Sequence, residues 1–227
     1  MNIGIIGSGQ IGSTLARNLT ALGHQVSIAN SRDPASLAEI ATATGATAVT
    51  VEQAARAQDV VIIAVPEKAV SRLPHDILAT TLAIVVDAGN YYPARDGHIA
   101  EIDAGRTDSE WVAQRIGHPV IKAFNNIVAN SLATRGVPAG TPGRVCLSVA
   151  GDDVRAKQVV VDLINALGFD GIDAGSLADS WRQHPGTPAY CRDLDTASLK
   201  DALAQAEAEK IAHYRAEADE AARPYFV

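Results

Sequence analysis

Six residues constrain this chain more than any others: GSGQIG, Gly7–Gly12. They stand between a β-branched run, NIGII (Asn2–Ile6), and a segment where Ile11, Leu15, Leu19 and Leu22 recur at helical spacing until Gly23. The pattern G-x-G-x-x-G is weak alone, but gains force when it links a strand to a helix within a strand–helix–strand unit of about 30 residues. Each glycine then has a task. Gly7 permits the tight turn, Gly9 lets an anionic ligand approach the backbone, and Gly12 lets the helix pack closely on the strand. The helix start, Ser8 to Ile11, offers free N–H groups and a positive dipole end to a pyrophosphate.

The residues that follow keep the same alternation. QVSIA (Gln25–Ala29) reads as a second strand, Pro34 to Thr44 as a helix stopped by Gly45, and Thr47–Val49 as a weak third strand. After the short helix VEQAARAQ comes DVVIIAV (Asp59–Val65), whose nearly unbroken apolar character fits a central strand buried on both faces. Pro66 ends it and suits the first turn of the next helix. AIVVDAGN (Ala83–Asn90) and HPVIKAFNN (His118–Asn126) supply a fifth and a sixth strand, with loop and then a helix around Glu110–Ile116 between them. RVCLSVAG, a helix capped by Asp152 or Asp153, and FDGIDAG complete the pattern. The expected fold is α/β: a Rossmann-type parallel sheet covered by helices, with a short helical C-terminal extension. Residues 1–175 form the dinucleotide-binding domain. Residues 176–227 hold a turn-rich segment, SWRQHPGTPAYCRD, and an alanine- and glutamate-rich helix over Leu199–Ala222.

In such sheets ligands lie beyond the carboxyl ends of the strands, so those ends carry the chemistry. The second strand ends in Asn30, Ser31 and Arg32. A carboxylate there would bind the ribose 2′-hydroxyl of NAD and repel a 2′-phosphate; neutral donors and a guanidinium favour NADP(H). Ala64, Val65 and Pro66 leave the fourth strand with small or rigid groups that let backbone lie along a cofactor. Lys68 either meets a phosphate or faces solvent. Ala123 and Asn125, beside Phe124, stand where a nicotinamide would lie, although Phe124 fits the core and Asn125 an ordinary loop equally well. Reduction of a ketone requires a proton donor near the hydride acceptor. No Tyr-x-x-x-Lys pair is present, which leaves Lys122 as the one candidate donor, whereas a flavin-like ring delocalises incoming charge and demands less.

The formal charge of −7 argues against binding nucleic acid or an anionic membrane surface. No apolar run approaches the roughly 20 residues of a membrane span, and no leader with a cleavage site is visible, so the expectation is a cytoplasmic protein. Cys146 and Cys191 read as reduced thiols, and the six histidines form no metal-ligand spacing, so no metal is expected.

Taken in order, IGIIGSGQIGSTLARNLTALGHQVSIANSR, AVP, VIKAFNNI and SVAGDD…AKQVVVDLINALGFDGIDAGSLADS resemble the NADP oxidoreductases that use the deazaflavin coenzyme F-420, and the related reductase domain of membrane metalloreductases. The resemblance spans roughly residues 2–180. It implies NADPH on Gly7–Gly12, Ser31 and Arg32 at the 2′-phosphate, Val65 and Pro66 beside the cofactor, hydride exchange with a flavin-type ring (FMN, FAD or coenzyme F-420), and a homodimer. KAFNNIVANSL matches the metalloreductase branch better than the archaeal deazaflavin enzymes. Two other readings stand beside this one: a small imine or carbonyl reductase whose pocket a dimer completes, since only 52 residues follow residue 175, and a non-catalytic NADP(H) sensor. An open face beside Asn125 favours the flavin reading, an inward Lys122 the imine or carbonyl reading, and a sealed face the sensor.

Overall fold

The computed structural model describes residues 1–226. Six strands form one parallel sheet: β1 (Asn2–Ile6), β2 (Gln25–Ala29), β3 (Thr47–Ala48), β4 (Val60–Ile63), β5 (Ile84–Asp87) and β6 (Ile121–Lys122). Their spatial order is β3-β2-β1-β4-β5-β6. The direction of winding therefore reverses between β1 and β4, where Ile3 pairs with Val60 and Ile6 with Ile63. This is the Rossmann-type arrangement expected from the sequence, and the crevice at the reversal is where such sheets bind ligands.

All four residues of β4 are buried, as its apolar run requires. Alternate side chains serve opposite faces. Ile3, Ile5, Val60 and Ile62 pack with Leu15 and Leu19 of the helix Gln10–Ala21, whereas Ile6, Val61 and Ile63 meet Trp111, Val112 and Ile116 of the helix Asp108–Ile116. Each fully buried aliphatic side chain contributes about 1.5–3 kcal/mol relative to exposure, so both helix layers are held from β1 and β4.

Several boundaries differ from the sequence reading. The helix expected from Glu110 begins at Asp108, because Thr107 and Glu110 form a reciprocal capping box. The preceding loop contains two single-turn helices, Pro93–Asp96 and Ala100–Asp103. β6 is shorter than His118–Asn126: it leaves the sheet after Lys122, and Phe124 adopts a left-handed φ of 63°. Beyond it, β7 (Cys146–Val149) and β8 (Asp170–Asp173) form a separate parallel pair, joined to β6 by one antiparallel bridge between Lys122 and Ala150. Asp153, rather than Asp152, caps the helix Val154–Ala166; Asp152 instead accepts the Leu177 N–H.

The expected single helix over Leu199–Ala222 is two, Thr196–Gln205 and Ile211–Ala222, because Ala206 turns extended with its side chain buried. The first covers β7, and the second is pinned to the body where Asp219 accepts the Ala94 N–H at 2.8 Å. Among the described residues no helix is long and apolar enough to cross a membrane.

Candidate functional site

The turn after β1 has the geometry its glycines imply. Gly7 has a φ of 121°, and a Cβ there would collide with the Ala64 carbonyl at the end of β4. A Cβ on Gly12 would strike the Gly7 carbonyl oxygen, whereas one on Gly9 would meet nothing within 4 Å. Gly7 and Gly12 thus close the turn onto the sheet, and Gly9 leaves open space above it. Gly9 is the N-cap of Gln10–Ala21, no side chain caps that helix, and its first turn contains no acid. A half-buried Ser8 and the exposed Gln10 complete a helix N-terminus available to an external anion. These features fit a dinucleotide pyrophosphate.

At the end of β2, Asn30 is spent on building the loop: its Oδ1 accepts the Arg32 N–H at 2.8 Å and its Nδ2 donates to Ser36 Oγ at 3.2 Å. Ser31 and Arg32 are exposed on that loop, and Arg32 forms no ion pair among the described residues. The 2′-phosphate reading therefore rests on Ser31 and Arg32, with Asn30 as the residue that shapes their loop.

Beyond the ends of β1, β4, β5 and β6 lies an open cleft of about 540 Å³. Gly9, Gln10 and Ile11 line one side, Ala64–Pro66 the next, and Phe124 and Asn125 the far side. Of the residues expected along its wall, Lys68 and Ala123 are not presented to it. Lys68 turns away, its ammonium donating to the Arg95 carbonyl at 2.7 Å. Ala123 is buried, its N–H held by the Asp87 carbonyl, and the reversed backbone of Phe124 faces the cleft in its place. Asn125 reaches the wall with its amide fully engaged: Nδ2 donates to Asn90 Oδ1 at 3.0 Å and to the Gln183 carbonyl at 2.8 Å, while Oδ1 accepts from Gln183 Nε2 at 2.7 Å.

Lys122, the candidate proton donor, needs the clearest correction. Its side chain is 0% exposed, and its ammonium donates to Asp87 Oδ2 at 3.0 Å and to the Gly89 carbonyl at 2.6 Å. Burial pulls its pKa down, but the Asp87, Asp108 and Glu67 carboxyls outweigh burial and hold it above the ordinary lysine value. Lys122 therefore acts as a locked cation that supports the loop from Asp87 to Asn90. Nearby Glu67 is wholly buried; burial, with repulsion from Asp108 and Asp87, raises its carboxyl well above the usual range. Its Oε2 accepts from Arg95 Nη2 at 2.8 Å, and Arg95 also donates to the Asn90 carbonyl.

The structure brings two hydroxyls into the cleft wall that sequence reasoning missed. Tyr92 and Tyr190 lie 98 residues apart, yet their phenolic oxygens are 2.7 Å from each other. Tyr190 arrives on the turn-rich segment after β8, which Gln183 stitches to Asn125. No local spacing announces such a pair.

Comparison with known proteins places these features in a family. A family model described as "NADP oxidoreductase coenzyme F420-dependent" matches residues 2–91. A solved protein from Sinorhizobium meliloti, SMa0349, shares 36% sequence identity, with 86% of this chain and 96% of that one covered at a TM-score of 0.72. The metalloreductase STEAP3 of Rattus norvegicus is 30% identical over 181 residues, 78% of this chain and 34% of that protein.

Over residues 2–91 the chain carries the signature of the coenzyme F420-dependent NADP oxidoreductase family. A candidate F420-dependent NADP-reductase from Arthrobacter sp. FB24 shares the fold at 24% identity, covering 79% of this chain and 86% of that one with a TM-score of 0.66. The family match contains the glycine turn, the Asn30–Arg32 loop, Ala64–Pro66 and the Asp87–Asn90 loop, but ends before β6 and Tyr190. The chain spans less than half the length of the curated relatives it matches.

Proposed function

We propose that this protein is an NADPH-dependent oxidoreductase that delivers hydride to a flavin-type ring, FMN, FAD or the deazaflavin, in the cleft beside the glycine turn. The observation that carries this reading is the single open cleft shared by the uncapped helix N-terminus at Gly9 and the wall formed by Phe124 and Asn125. When bound, the reduced dinucleotide supplies the hydride. Gly7–Gly12 holds the pyrophosphate with backbone N–H groups, as helix N-termini do. Ser31 and Arg32 grip the 2′-phosphate, for which a guanidinium is suited by its paired donors. Ala64–Pro66 present small or rigid surface along the ring, and Phe124 supplies apolar contact opposite them. An open mouth suits a flat acceptor, and the withdrawal of Lys122 into the core removes the feature that favoured an imine or carbonyl pocket. Openness likewise counts against a sealed sensor.

The test is anaerobic mixing of the protein with NADPH and, separately, FMN, FAD and the deazaflavin, following the nicotinamide absorbance band. Rapid oxidation with one ring system is expected. NADPH binding without oxidation by any of the three refutes the reading.

A further inference from the structure

Hydride addition to C=O or C=N displaces an electron pair onto oxygen or nitrogen, and that atom must gain a proton or a strong donor; a flavin-type ring spreads the charge and demands less, although a donor still stabilises it. The withdrawal of Lys122 leaves the cleft without the donor the sequence suggested. Tyr190 meets the requirement. Tyr190 lines the cleft, with its hydroxyl 2.7 Å from the Tyr92 hydroxyl and 3.3 Å from Asn90 Nδ2.

The orientation of Asn90 is fixed independently. Its Oδ1 accepts from Asn125 Nδ2 at 3.0 Å, and its Nδ2 donates to the Asn125 carbonyl at 3.0 Å, so its remaining N–H can only donate to Tyr190. Tyr190 oxygen thus receives a donor from Asn90. The tyrosine pair holds two protons and needs one to close its mutual hydrogen bond. With Tyr92 donating, the Tyr190 proton is left over. Its remaining neighbours are the Cys191 thiol, a weak acceptor, and the open cleft.

We propose that Tyr190, oriented by Asn90 and backed by Tyr92, is the catalytic proton donor to the reduced acceptor, so that the cleft takes acceptors whose hydride adduct carries charge on oxygen or nitrogen. The proposal rests on NADPH as hydride source, the reading given above. The step balances. As hydride forms the new bond on the acceptor, the Tyr190 O–H bond breaks and an O–H or N–H bond forms on the acceptor atom that received the electron pair. The phenolate left on Tyr190 takes the Tyr92 proton, and Tyr92 recovers one from water at the cleft mouth. Net consumption is one hydride from the dinucleotide and one proton from water. Burial pushes both hydroxyls up, Tyr92 to about 12, so both are protonated at neutral pH. A cyclic imine depends on the donor more than a flavin ring does, and the substrate arms of the test separate them.

The test compares wild type, Tyr190→Phe and Tyr92→Phe, with FMN and 1-pyrroline as alternative acceptors. Tyr190→Phe should lower kcat about 100-fold, within the usual range for a general acid, with KM and NADPH affinity within about threefold and the kinetic solvent isotope effect lost. Tyr92→Phe should lose about tenfold. A second readout needs no turnover: the visible band of bound oxidised FMN should shift on binding to wild type, and that shift should vanish in Tyr190→Phe. Loss confined to one acceptor assigns the cleft to that acceptor. Unchanged kcat, isotope effect and FMN band in Tyr190→Phe overturn the proposal. So does wild type that binds NADPH but neither reduces nor binds either acceptor, an outcome for which the flavin reading fails as well. Oxidation of NADPH that survives Tyr190→Phe undiminished with both acceptors sinks the donor role alone.

Discussion

Replacing Lys122 with methionine separates a structural cation from a chemical one. The substitution keeps most of the side-chain volume and removes the ammonium that donates to Asp87 Oδ2 and the Gly89 carbonyl. Asp87 would remain buried, with Ser109 Oγ at 2.7 Å and the Gly89 N–H at 2.9 Å as its surviving donors. Removing one partner of a buried pair costs about 3–5 kcal/mol, because the other charge is left uncompensated. For a chain of this length each kcal/mol lowers Tm by about 2–4 °C, so Lys122→Met should melt about 6–20 °C below wild type. The double variant Lys122→Met/Asp87→Leu should recover part of that loss, since the stranded carboxylate is gone. Thermal and urea unfolding followed by far-ultraviolet circular dichroism measure both. A Lys122→Met protein that melts within about 2 °C of wild type, yet no longer oxidises NADPH, would refute the structural role and return Lys122 to the chemistry.

Arg32→Ala should weaken NADPH binding about tenfold or more and leave NADH nearly unchanged, since a charge-assisted bond contributes about 1.5–3 kcal/mol; titration of both nucleotides checks this, and equal losses remove Arg32 from the 2′-phosphate. Gly9→Val should abolish binding of both while leaving Tm unchanged, because a Cβ there meets no protein atom within 4 Å; retained affinity would mean that the pyrophosphate lies elsewhere. Burial lowers the pKa of His184 to about 4 from 6.5, against the pull of the Asp108 carboxylate, with Lys122 and Arg215 adding to the lowering. Its unfolded form therefore binds a proton first, so the stability it contributes is complete above pH 6.5 and is lost as pH falls toward 4. That gap corresponds to about 3 kcal/mol. His184→Gln should flatten the decline in urea stability over this window, and parallel declines in both proteins would show that His184 does not titrate there.

Much of the fold was legible because its signals are short-range. The apolar run Val60–Ile63 and the glycines at 7, 9 and 12 act through their immediate neighbours, and they mark the reversal point of the sheet without help from distant residues. The Thr107–Glu110 capping box was also visible as a spacing, and would have moved that helix start to Asp108. The break at Ala206 was not visible, since the alanine- and glutamate-rich stretch contains neither glycine nor proline, and burial of Ala206 imposes the bend from outside. Lys122 misled for a related reason. A lysine at a strand end resembles a cleft residue until Asp87, brought beside it by β5, claims its ammonium. The Tyr92–Tyr190 pair depends on Gln183 docking against Asn125, 58 residues away in the chain, and no periodicity encodes that.

That docking also gives the protein a birth order. Asn90 and Tyr92 emerge from the ribosome about 100 residues ahead of Tyr190, which at roughly 5–20 residues per second is an interval of about 5–20 seconds. During that interval β1, β2, β4 and β5 are already available to associate, and the glycine turn between β1 and its helix with them. A nascent chain can thus gain a platform for a nucleotide before the wall that would use it exists. The amides of Asn90 and Asn125 wait in water for partners that are still being translated.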